Sequence, residues 1–103
     1  MWAQIITMRL KPGAEGRIGD VTAAIRAAEQ PDSGLVRTLT MRDQDDPALV
    51  HTLVVFASEE QARAREQDPR RSEALATART LMAEVFDGAP TFTNLDVVEE
   101  TVG

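Results

Sequence analysis

One side chain in this sequence has an unperturbed pKa near neutrality: His51, the single histidine, which makes it the first candidate for moving a proton. It falls in the strand-like run Val50 to Phe56. Facing a cavity, it could deprotonate a phenol; on an edge or a seam between subunits it would be a hydrogen-bonded and inert strand residue. Trp2, the single tryptophan, could stack on a flat ligand or pack in the core. Gln4 shares its face and could orient a ligand carbonyl. Arg37, in a strand otherwise rich in apolar groups, could meet an anionic ligand or form a structural ion pair with Asp96. Asn94 alternates with Phe92 and Asp96, as a pocket amide or a solvent-facing one. Phe56 and Phe86, with Met8, Met41 and Met82, suit an apolar lining and equally a plain core. Arg63, Arg65, Arg70 and Arg71 form the densest basic cluster. Glu59, Glu60, Glu66, Asp68 and Glu73 interleave with them, the pattern of a solvated, ion-paired helix face.

Composition closes off several other chemistries. No cysteine is present, which removes disulfides, thiol nucleophiles and thiolate metal sites. One histidine and scattered carboxylates make no metal set, so no metal is expected. The acidic loop Asp43-Gln44-Asp45-Asp46-Pro47 lacks EF-hand spacing and its glycine. Neither a dinucleotide fingerprint nor a phosphate loop is present, and no serine sits in a nucleophile elbow. Acidic residues outnumber basic ones 17 to 11, for a net charge of -6, so phosphate backbones and anionic membranes are poor partners. The apolar runs are too short to span a bilayer. The first residues lack the basic, apolar and small-residue order of a secretory leader, so a cytoplasmic location is expected.

The elements that must position these residues can be read from rhythm and punctuation. Trp2 to Leu10 is a first strand, closed by Lys11-Pro12-Gly13. Trp2, Gln4, Ile6, Met8 and Leu10 take one of its faces, and Ala3, Ile5, Thr7 and Arg9 the other. Glu15 to Glu29 follows as a helix striped by Ile18, Val21, Ile25 and Ala28, with Gly16 and Gly19 weakening its first turns. Leu35 to Arg42 and Ala48 to Phe56 make an antiparallel hairpin. Ser58, with Gln61 three residues on, has the form of a capping box opening a helix to about Gln67. Asp68-Pro69 caps a third helix at a new angle, with a stripe of Leu75, Ala78, Met82, Val85 and Phe86 that Asp87-Gly88 should end. Thr91 to Glu100 is the last strand.

The order β, α, β, β, α, α, β over residues 1–103 predicts one α+β domain: a ferredoxin-like split βαβ with a four-stranded antiparallel sheet and helices on one face. The strands are apolar on both faces and the helices cover only one. The second face therefore needs another surface, and an identical subunit supplies it most simply, predicting a homodimer.

With these residues in view, the element order, the Lys11-Pro12-Gly13 exit, the run Phe56-Ala57-Ser58-Glu59-Glu60, and the later Ala62 and Asp68-Pro69 resemble the antibiotic biosynthesis monooxygenase family of dimeric α+β barrels. The likeness spans essentially the whole chain. It implies a dimer with one apolar pocket per subunit. Haem-degrading relatives place an Asn, a Trp and a His where this chain has Ile6, Arg65 and Leu75, so haem degradation is not implied. Many other members carry a histidine on the second helix, where Arg65 stands, which makes Arg65 a candidate ligand contact. The remaining family chemistry is oxygenation of electron-rich phenols or anthrones without a cofactor. There the deprotonated substrate itself reduces dioxygen, and the protein supplies a dry pocket, a base and hydrogen-bond donors. The alternative is a non-catalytic small-molecule-binding or structural dimer on the same barrel.

Overall fold

A computed structural model describes all 103 residues. Strand β1 runs Trp2–Leu10, a 3-10 turn covers Glu15–Arg17, and α1 spans Ile18–Ala27. The two glycines that weaken this helix account for its tighter first turn. Strands β2 (Leu35–Arg42) and β3 (Leu49–Phe56) form the hairpin, followed by α2 (Glu59–Glu66), α3 (Pro69–Ala74), α4 (Ala76–Val85) and β4 (Phe86–Asp96). Gly34 opens β2 with φ of +80°, and a Cβ there would lie 2.7 Å from the Gln61 side chain, so both backbone and space require glycine.

Both predicted caps form. The Ser58 hydroxyl accepts from the Gln61 amide at 3.1 Å, and it donates to the Gln61 side-chain oxygen at 3.1 Å instead of receiving the reciprocal bond of a full box. The Asp68 carboxylate accepts from the Arg70 amide at 2.9 Å, with Pro69 as first helical residue.

The single helix expected after Asp68 is instead two. Leu75, with ψ of -9°, lies between them, yet the Leu75 amide still reaches Arg71 O at 2.8 Å and the Arg79 amide reaches Leu75 O at 2.9 Å. The interruption is thus a bend in one helical path. Its end also differs from expectation: α4 stops at Val85, and Phe86 begins a strand. Phe86 satisfies the helical spacing from Met82 and strand propensity equally, so its stripe position did not decide between them. Gly88, with φ of +76°, serves a bulge, not a helix stop: between the pairs Thr7↔Thr91 and Arg9↔Asp87, β4 advances four residues while β1 advances two. Pro90 is tolerated there because β4 is an edge strand.

The sheet has order β2-β3-β1-β4 with every neighbouring pair antiparallel, which is the ferredoxin-like arrangement. Helices cover one face, where the core lies in separate pieces. Leu10, Ala14, Val21, Val50, Val85 and Phe86 pack at one end of the sheet, and Trp2, Val54, Phe56 and Ala62 at the other. Ala28, Leu75 and Ala78 join α1 to the α3–α4 path. The middle of the helix-covered face is left open. No helix is long and apolar enough to cross a membrane.

Candidate functional site

Strand alternation assigns every residue of the sheet to one of two surfaces. Toward the helices, the register lines up Thr38, Val54, Gln4 and Asn94 in one row and Thr40, Thr52, Ile6 and Phe92 in the next. These rows floor a cavity of about 830 Å³ between the two ends of the core. Ile18, Val21 and Ile25 of α1 and Leu75 and Met82 of the α3–α4 path roof it, while Trp2, Phe56 and Phe86 close its ends. The volume is within the range of small-molecule sites.

Six of the candidate residues meet here: Trp2, Gln4, Phe56, Arg65, Phe86 and Asn94 all line the cavity. The Gln4 amide donates to Asn94 Oδ1 at 2.9 Å, which fixes two side-chain amides side by side on the floor. Trp2 and Phe56 are buried and tilted against each other at 6.1 Å. Each carries a guanidinium 5.1 Å above its ring, Arg63 on Trp2 and Arg65 on Phe56. Arg65 also forms a bidentate pair with Glu29, with contacts of 2.6 to 3.1 Å and side chains only 12% and 17% exposed. Burial acts to raise the Glu29 pKa. Hydrogen bonds from Arg65 and Ser33, with the charges of Arg65 and Arg71, outweigh it and leave the pKa lowered.

Two candidates fall elsewhere. His51 pairs across the sheet with Thr7 and Met41 on the opposite, open face and does not line the cavity. Its Nε2 donates to Asp43 Oδ2 at 2.8 Å, and its Nδ1 is hydrogen-bonded with the Thr7 hydroxyl at 3.0 Å. Asp43 also accepts from the amides of Asp45 and Asp46, at 2.8 and 3.0 Å, so the acidic loop is a self-capped turn. The His51 hydrogen bond, with these amides, lowers the Asp43 pKa to about 2. Thr7, His51 and Asp43 thus share the outline of a nucleophile, base and orienter. Thr7 lies mid-strand between β3 and β4, where backbone amides are committed to the ladder, and an oxyanion needs free ones.

Arg37 likewise faces the open side, opposite Val55. The expected pair with Asp96 does not form, because β2 and β4 are the two edges of the sheet and stand roughly 14 Å apart at normal strand spacing. Met41 is also on the open face and 42% exposed, whereas Met8 and Met82 line the cavity.

Further residues matter to this cavity. The charge pattern predicts a solvated face for Arg63 and Arg71 and marks neither Arg26 nor Arg79; all four line the cavity. Part of the solvated reading holds: Arg63 bridges Glu59 and Glu66 at 3.3 Å, and Arg70 holds Asp68 and Asp32. The available signal was the spacing Arg71, Leu75, Arg79, Met82, one helical stripe of mixed character.

With the geometry described, the architecture defines a class: an α+β domain whose antiparallel sheet and helices border a ligand-sized cavity. No family model matches the sequence, and no curated protein does. Solved structures do match. A variant of MhuD with two manganese protoporphyrin IX molecules bound per active site is 17% identical with a TM-score of 0.80, covering 100% of both chains. An Asn-to-Ala variant of SnoaB, a cofactor-independent oxygenase from Streptomyces nogalater, is 12% identical with a TM-score of 0.72, covering 96% of this chain and 94% of that one. A protein from Chloroflexus aurantiacus J-10-fl, provisionally named an antibiotic biosynthesis monooxygenase, is 24% identical with a TM-score of 0.64, covering 99% and 98%. The chain has the fold of the antibiotic biosynthesis monooxygenases, in agreement with the resemblance seen in its sequence.

Proposed function

We propose that this protein binds a flat aromatic or quinone-like metabolite in the sheet–helix cavity and oxygenates it with dioxygen, without a cofactor of its own. The carrying observation is the 830 Å³ cavity, with aliphatic and aromatic walls and the paired amides of Gln4 and Asn94 on its floor. A flat ring system suits the gap between the floor and the Ile25, Leu75 and Met82 roof. The amides suit a carbonyl or enol oxygen. The fold shared with SnoaB supports the chemistry by analogy.

No histidine, lysine or tyrosine lines this cavity, and its single carboxylate, Glu66, is tied to Arg63. The substrate's own acidity must therefore do most of the work. An anthrone-type carbon acid placed among arginine charges and amide donors has its enolate stabilised and releases its proton to water. The carbanion passes electrons to dioxygen and a carbon–oxygen bond forms, giving a peroxide. Loss of the remaining C–H proton and cleavage of the O–O bond leave a ketone and water. The methylene carbon loses four electrons and dioxygen gains them, one oxygen atom ending in each product.

We place a second copy of the chain on the open sheet face, where Leu39, Met41 and Leu95 are 46%, 42% and 38% exposed beside Ile5, Leu53 and Val55. The rival reading, a dimer that binds a small molecule without transforming it, draws on one observation: the only histidine lies outside the cavity.

Oxygen consumption separates the two. With a panel of anthrones and hydroquinones, the oxygenase reading expects uptake well above buffer, one dioxygen per anthrone converted to anthraquinone. Binding with no acceleration across the panel would leave the non-catalytic dimer.

A further inference from the structure

The lining of the cavity departs in charge from the chain that builds it. The protein as a whole is at -6, yet five arginines and one carboxylate line the cavity. Arg63 and Arg65 are neutralised by their glutamate partners. Arg26, Arg71 and Arg79 have no carboxylate within ion-pairing distance; Arg79 donates only to the Ser72 carbonyl, at 3.2 Å. Arg71 from α3 and Arg79 from α4 both line the cavity, near enough for the charge of Arg79 to act on Arg71, and Arg26 lines it from α1.

Uncompensated guanidinium groups on the wall of an apolar cavity repel one another and favour any anion that enters. Arg71 registers this: burial first, then the charges of Arg65 and Arg79, lower its pKa against the opposing pull of Glu29 and Glu66. The planar fork of arginine fits a carboxylate with two parallel hydrogen bonds.

We propose that the aromatic ligand carries a carboxylate, held by Arg71 with Arg79 and Arg26, while its ring system lies over the Gln4 and Asn94 floor. This rests on the cavity being the ligand site, as proposed above, and narrows the substrate class to aromatic acids. The arginines anchor one end of the ligand and fix which ring carbon sits over the amides.

Trp2 is the only tryptophan, no tyrosine is present, and Trp2 lines the cavity, so its fluorescence reports occupancy directly. Anthraquinone-2-carboxylate and its neutral carboxamide are titrated into the intact protein. The carboxylate is expected to bind at least tenfold more tightly, and the advantage to shrink to less than threefold in Arg71→Gln. Arg17→Gln, a change away from the cavity, should preserve it. Equal affinity for the two ligands in the wild-type protein would overturn the carboxylate anchor while leaving the cavity as the ligand site. No quenching by either would overturn both. The wild-type comparison decides even if Arg71→Gln folds poorly.

Discussion

The two faces of the sheet are built from the same strands, yet they differ in what their alternate residues do. On the helix side, Gln4, Ile6, Thr52 and Asn94 floor a space that the helices span without filling. On the open side, Ile5, Leu53 and Val55 form a low apolar surface, and the chain's only histidine is tied between Thr7 and Asp43. The chain's only histidine is therefore absent from the cavity, and the basic groups concentrated there are arginines. On the proposed function, such a site would select and polarise a ligand and leave proton release to the ligand's own acidity.

The comparison can be broken first at its most buried point. Trp2→Ala removes the aromatic wall shared with Phe56 and Arg63 and should cost about 3–5 kcal/mol of stability in chemical denaturation. A cost below roughly 1 kcal/mol would mean that this end of the cavity is loosely packed. Next comes Arg65→Gln, which strands Glu29 in a largely buried position and should cost about 3 kcal/mol, with Glu29→Gln in the same background recovering part of it. Additivity of the two changes would contradict a shared ion pair.

The open face answers differently. Leu39→Asp, at a position 46% exposed in the single chain, should change the stability of the fold by no more than about 0.5 kcal/mol yet convert the proposed dimer to a monomer in light scattering. An unchanged dimer would move the subunit contact elsewhere. The smallest effect concerns acid. Asp43 has its pKa lowered from 3.8 to about 2, so its ionised form contributes stability that is present above pH 4 and fades as pH falls toward 2. Asp43→Asn should flatten that part of the stability profile by lowering stability above pH 4, neutral pH included, and leave stability near pH 2 nearly unaffected. A wild-type profile already flat between pH 4 and 2 would contradict the His51–Asp43 bond.

How far the sequence was legible follows from what each signal specified. Lys11-Pro12-Gly13 cannot continue a strand, and β1 ends at Leu10 as expected. Ser58 and Asp68 cap as their spacing required, because a cap is settled within four residues. Alternation in β1 placed Trp2 and Gln4 together correctly, again a local matter. What failed was long-range. Whether Arg37 could reach Asp96 depended on strand order, and whether Arg71 and Arg79 faced water or a cavity depended on how the bent helix lies over the sheet. The interleaved charges of residues 59 to 73 look the same in either case. His51 alternates plainly with Val50 and Thr52. The face it occupies was fixed only once Thr7, not Ile6 or Met8, proved to be its partner.

The most direct test uses two isoleucines adjacent in sequence. Ile5 and Ile6 point to opposite faces, so methyl carbon–proton spectra recorded during titration with anthraquinone-2-carboxylate report which side the ligand occupies. The methyl groups of Ile6, Thr52 and Val54 are predicted to shift in a saturable manner while those of Ile5, Leu53 and Val55 stay in place. Shifts confined to the second set would put the ligand on the open face and contradict the account.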